Sequence, residues 1–233
     1  MKNYDRVGRV FNLLPSKVQN TIQDMCKNTS AGMITCIKNN HTINTIDEYN
    51  QYCDILAGNP MHQLTKLIIL HGYETSDLST FCETEKSELH SFGGCEKSLG
   101  IFLQKTCIIY NYFEDMPSER FLWPKEIWKK HKNDFAGMGY DSNSRACLNE
   151  MILDALRLIP DILKYISKLR SYTYRRLCLT AFAIALTTLK DCFNNPTVFK
   201  EVTGISRTNH VGELTMETDS IDKLCKWLEN SLK

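Results

Sequence analysis

The sequence predicts an all-α fold, and three observations carry that expectation. Apolar residues recur three or four positions apart over most of the chain. No strand–helix–strand rhythm, internal repeat or clear linker interrupts them. Proline, glycine and asparagine turn signals fall between the periodic stretches. With 233 residues, 42% of them hydrophobic and 24% charged, the chain is ample for a buried core, and one helical domain over 1–233 is expected.

The elements follow in order. Phe11 to Ile37 carries Leu14, Val18, Ile22, Met25, Cys26 and Met33 at helical spacing. Thr45-Ile46-Asp47-Glu48 is a capping-box signature. It opens a helix with Tyr49, Tyr52, Cys53 and Leu56 on one face. Pro60 falls inside that pattern and costs about 3 kcal/mol unless the helix kinks or stops. The pattern resumes at Leu64, Leu67 and Ile68, and His71 to Gly94 then reads as a polar connection. Cys95 to Asp115 is the most informative helix. Leu99, Phe102, Leu103, Thr106, Ile109, Tyr110 and Phe113 share one side, and Gln104, Cys107, Asn111 and Asp115 the other. Pro117-Ser118 ends it, and Trp123-Pro124 starts a short helix. Arg145 to Arg170 reads as one long helix bent at Pro160. Leu177 to Cys192 is apolar nearly all round and reads as the central buried helix. Asn194-Asn195-Pro196 is a turn, and a last helix is expected over about Ser220 to Leu232.

Composition excludes several functions. The 28 Lys and Arg against 27 Asp and Glu leave a net charge of +1, with no basic stripe for nucleic acid. No HExxH metalloprotease motif occurs. A Cys-His hydrolase stays open, but nothing singles out one pair. The longest apolar run is too short for a membrane span of roughly 20 residues, and Met1 to Val10 does not read as a signal peptide. The ten cysteines hold no CxxC pair and are expected as reduced, small apolar residues of a cytoplasmic protein.

Chemistry concentrates at the end of the Cys95–Asp115 helix. Asn111 and Asp115 stand at i and i+4, so their side chains project together. Two carboxylates at that spacing could hold Mg²⁺ against a diphosphate, but here one member is an amide. From spacing alone, a solvated surface and a metal site both remain open.

Leu99-Gly100-Ile101-Phe102-Leu103-Gln104-Lys105-Thr106, with Ile108-Ile109 and Tyr112, resembles squalene synthase. So do Trp123-Pro124-Lys125-Glu126-Ile127-Trp128, Cys147-Leu148-Asn149-Glu150, Ile159-Pro160-Asp161, Cys178 and Asn194-Asn195. Tyr52-Cys53 and Ala57-Gly58 match the family's Y-C-x-x-x-A-G helix. The resemblance covers nearly the whole chain and implies an isoprenoid synthase helical bundle. It also implies the family reaction, in which two farnesyl diphosphates condense to presqualene diphosphate and NADPH reduces that to squalene.

Carried over by residue, the resemblance implies a catalytic role for Tyr52, as proton carrier or cation stabiliser. It implies substrate contacts from Gln104, Asn111 and Asp115, and weak Mg²⁺ binding by Glu114 and Asp115. Other family positions differ. The first D-x-x-E-D motif is expected upstream of Phe11, so the bundle is expected to lack its first helices. The second, Arg-D-Y-x-E-D, reads Tyr110-Asn111-Tyr112-Phe113-Glu114-Asp115, and the family's Asn after Q-K-T is Cys107. The K-I-R assigned to NADPH phosphates reads Gly204-Ile205-Ser206, with Arg207 and Lys200 out of register. The family's Pro-Gln is Ala181-Phe182, and Phe182 would fill a cavity that Gln would line.

Three readings follow. The chain is a squalene synthase-type prenyltransferase using Mg²⁺ and NADPH, with catalysis impaired. It is a non-catalytic homologue binding isoprenoid or a protein partner. Or it is an incomplete product that exposes apolar helix faces. The resemblance places it at the endoplasmic reticulum, although the family's C-terminal anchor is not seen.

Overall fold

The computed structural model describes residues 4–38, 42–87, 91–201 and 226. It is 74% helical, with no strand among the described residues. The expected helix at Ser220–Leu232, apart from residue 226, and the positions 204–207 lie outside the described residues.

The first expected helix is two: α1 (Tyr4–Asn12) and α2 (Ser16–Lys38). Pro15 lacks the N–H that a continuous helix needs, so the chain turns at Leu13-Leu14 and restarts after it. Only Val18 is buried on α2, and none of α1 is. Val7, Val10, Leu13 and Ile34 stand exposed.

Helix α3 (Ile46–Cys53) begins as the capping pattern predicts. The Thr45 hydroxyl accepts from Glu48 N at 3.1 Å, and the Glu48 carboxylate accepts from Asn44 N at 2.6 Å. Pro60 does not stop the chain. A π turn at Asp54–Gly58 precedes it, with Asn59 N–H bonded five residues back to Asp54 O, and α4 (Asn59–Leu70) continues. Gly32 of α2 lies against Ile55 of this turn.

The polar stretch after His71 contains a helix that composition hides. Leu78, Phe81 and Cys82 of α5 (Ser76–Thr84) sit at helical spacing and are buried. Helix α6 (Glu96–Tyr110), and not the Leu177–Cys192 segment, is the central element. It is buried on nearly all sides and packs against α3, the π turn, α4, α9 (Ser142–Leu156), α10 (Ile159–Lys168) and α11 (Tyr172–Cys192). Leu177 and Ile184 of α11 face outward. The predicted bend at Pro160 is a break at Arg157-Leu158, with Pro160 in the first turn of α10.

Two short helices, α7 (Tyr112–Asp115) and α8 (Lys125–Trp128), are fixed by rings rather than by length. Tyr112 packs 5.2 Å from Trp123, 5.1 Å from Phe135 and 5.0 Å from Phe199, between centroids, and its hydroxyl donates to Phe135 O at 2.6 Å. This cluster sets the position of α7 and of the acidic residues it carries.

The nine described cysteines are free thiols. Burial pushes the Cys95 thiol up to about 11 and those of Cys147, Cys178 and Cys192 up to about 12. The folded chain therefore keeps protons that the unfolded chain releases from about pH 8.5. Stability present below that pH is lost as pH rises through the folded values. The urea midpoint should fall steadily from about pH 8 to about pH 11, within this window. A flat profile would contradict the buried-thiol assignment.

Candidate functional site

Helices α3, α6 and α7 carry the expected site residues. Tyr52 lies one residue before the end of α3, half-buried, with Cys53 fully buried beside it. Burial pushes its phenol up to about 12; Cys36 and Cys53 add to this, the Arg120 guanidinium opposes it, and Asp115 adds a little. Tyr52 thus stays neutral at physiological pH, within electrostatic reach of Asp115 and Arg120. Gln104 is half-buried on α6, on the stripe that continues to Cys107 and Asn111.

The end of α6 differs from the expected faces. Helix geometry stops at Asn111, and α7 restarts from a different orientation with Tyr112 in the ring cluster. Phe113, expected on the apolar side, is 37% exposed, whereas Asp115, expected on the polar side, is only 6% exposed. Glu114 is exposed. Neighbouring residues on a helix point about 100° apart, so Glu114 and Asp115 do not converge.

Asp115 is held from two sides. Its N–H donates to Asn111 O at 2.9 Å, and its carboxylate pairs with the Arg120 guanidinium. A 3₁₀ turn at Met116–Ser118 and the left-handed Glu119 (φ 53°) reverse the chain and return Arg120 to Asp115. Arg120 N also donates to Asp115 O at 3.2 Å. Sequence reasoning missed Arg120, because an ion pair made across a 3₁₀ turn and a left-handed residue follows no helical period.

Beneath the site is a second cation. Lys105 Nζ bonds Asp154 Oδ2 of α9 at 2.6 Å and lies 5.1 Å from the Tyr49 ring centroid, with the residue only 2% exposed. Phe182 of α11 is fully buried, 5.3 Å from Phe102 between centroids, so an aromatic pair fills the space between α6 and α11.

The sequence model of the squalene/phytoene synthase family matches residues 1–209. The chain belongs to that family. Squalene synthase 8 of Panax ginseng is 36% identical over 213 residues, spanning 89% of this chain and 50% of the relative. Squalene synthase LSS of Botryococcus braunii is 36% identical over 208 residues, spanning 87% of this chain and 42% of the relative. The chain therefore spans about half the length of the curated relatives it matches. The solved structure of TcSQS with the ligand BPH1237 superposes with a TM-score of 0.86 at 26% identity, over 98% of this chain and 64% of that one. These likenesses confirm the all-α isoprenoid synthase fold.

Within this squalene/phytoene synthase scaffold, the described residues do not fit a resident Mg²⁺ cluster. Asp115 is engaged by Arg120, Glu114 is exposed, and no group of three His, Cys, Asp or Glu is placed to hold a metal among the described residues. For NADPH, Lys200 is described and exposed, with its Cε packed over Gly139. No described helix is long and apolar enough to cross a membrane.

Proposed function

We propose that this chain binds farnesyl diphosphate in the manner of a squalene synthase but is impaired in condensing it to presqualene diphosphate and reducing that to squalene. The observation that carries the reading is the Arg120–Asp115 pair. Arg120 sits where a cation would have to stand against the acidic motif, and a guanidinium has donors to spare for a phosphate after binding one carboxylate. Its side chain is 46% exposed, so those donors are accessible. Gln104 and Asn111 contribute neutral polar groups toward the same face, and Tyr52 contributes a protonated phenol that can donate but cannot act as a base.

The impairment rests on the donor set. Asn111 cannot supply the charge of an aspartate, Tyr110 cannot supply that of an arginine, and Phe182 closes space beside α6. Removing a single charged group that stabilises a transition state slows the reaction about a hundredfold. Labelled farnesyl diphosphate, Mg²⁺ and NADPH supplied to the full chain should yield less than about 1% of the presqualene diphosphate and squalene formed by a Panax ginseng squalene synthase assayed alongside. Turnover at a comparable rate would restore the full family reaction. Attachment to the endoplasmic reticulum is part of the same proposal through the family, and co-sedimentation with microsomes tests it.

A further inference from the structure

A cavity of about 620 Å³ opens between the loop before α5, the end of α10 and the start of α11. It shares no lining residue with the site around Tyr52 and Asp115. Its walls are Thr75, Asp77, Ser167, Lys168, Arg170 and Arg175, over an apolar floor of Leu78, Phe81 and Leu169. Three cations face one carboxylate, so the lining keeps a surplus of positive charge.

The three cations are not equivalent. Arg170 Nη2 pairs with Asp77 Oδ2 at 3.0 Å, across an exposed edge. Lys168 Nζ lies 5.8 Å from the Phe81 ring centroid and makes no ion pair among the described residues. Arg175 is the unusual group. Its Nε is buried and has no hydrogen-bond partner, and no ion pair neutralises its guanidinium among the described residues. A buried donor without an acceptor costs about 1–3 kcal/mol, more when the group is charged. The nearby buried carboxylate, Glu74, is already committed. It accepts from Arg170 N at 2.9 Å and Ser171 N at 2.7 Å, which fixes the rim of the cavity.

We propose that this cavity is an anion site for a phosphate or diphosphate group. The volume suits a small organic phosphate. A planar guanidinium with unused donors matches phosphate oxygens, and Lys168 supplies a second charge. The apolar floor accepts the carbon portion of the ligand.

The probe is inorganic pyrophosphate, titrated calorimetrically into the full chain at low salt. A saturable site that depends on Arg175 is expected, separate from pyrophosphate binding at Arg120. Arg175→Ala should weaken it about tenfold or more, and Arg175→Lys should fall between that variant and the parent. Arg120→Ala should leave this affinity unchanged, which separates the cavity from the farnesyl diphosphate proposal. Thermal melts of both Arg175 variants check that they fold. Phosphatidylcholine vesicles with and without phosphatidic acid distinguish the source. Arg175-dependent binding to the acidic vesicles identifies a lipid phosphate, and binding of pyrophosphate alone identifies a soluble one. The proposal is overturned by absence of saturable binding, by an affinity indifferent to Arg175, or by one that falls with Arg120→Ala instead.

Discussion

Replacing Gly100 with alanine is expected to destabilise the fold by about 3 kcal/mol, at the upper end of ordinary overpacking costs. A Cβ at this position would lie 2.2 Å from Ala57 O, 2.6 Å from Ala57 C and 2.9 Å from Gly58 N. These are backbone atoms, so no side chain can rotate away. The clash falls where α6 crosses the π turn that follows α3. Gly58 meets the same crossing from the other side, with Asp54 Oδ1 and Ile101 Cγ1 at 2.5 and 3.0 Å from its own would-be Cβ. Relief requires moving the π turn away from α6. Chemical denaturation of Gly100→Ala should show a much lower midpoint. A midpoint within error of the parent would show that the crossing is looser than the structure has it.

Asp154→Ala should be the most costly change in the interior. Lys105 and Asp154 form a buried pair, with side chains 2% and 10% exposed. Removing the carboxylate leaves an ammonium facing only the Tyr49 ring, a loss of about 3–5 kcal/mol. Lys105→Met with Asp154→Leu removes both charges and should recover stability to within about 1 kcal/mol of the parent. If the single and double variants were equally unstable, packing and not the orphaned charge would be responsible.

These two sites show what a sequence can carry. The family-like Leu99-Gly100 and Ala57-Gly58 were visible as motifs, and the structure supplies their physical reason in a single close crossing. Helix α3 was legible from its capping box and α6 from the spacing of its apolar residues. Helix α5 was hidden because Ser, Thr and Glu outnumber its three buried residues, although their spacing was readable. The break at Pro15 and the split at Arg157-Leu158 were missed because apolar spacing continues through both. Pairs such as Lys105–Asp154 join distant positions and have no signature in local period. The Asp115–Arg120 pair was out of reach for a different reason. It depends on a left-handed residue, Glu119, at a position where sequence favours no such conformation.

Calorimetric titration of farnesyl diphosphate into the full chain, once with EDTA and once with Mg²⁺, tests the central claim most directly. If Arg120 stands in the cation's place beside Asp115, an Arg120-dependent site should appear in both runs, with affinities within about threefold of each other. Arg120→Ala should then weaken binding about tenfold. Binding that requires Mg²⁺, or no binding in either run, would contradict it.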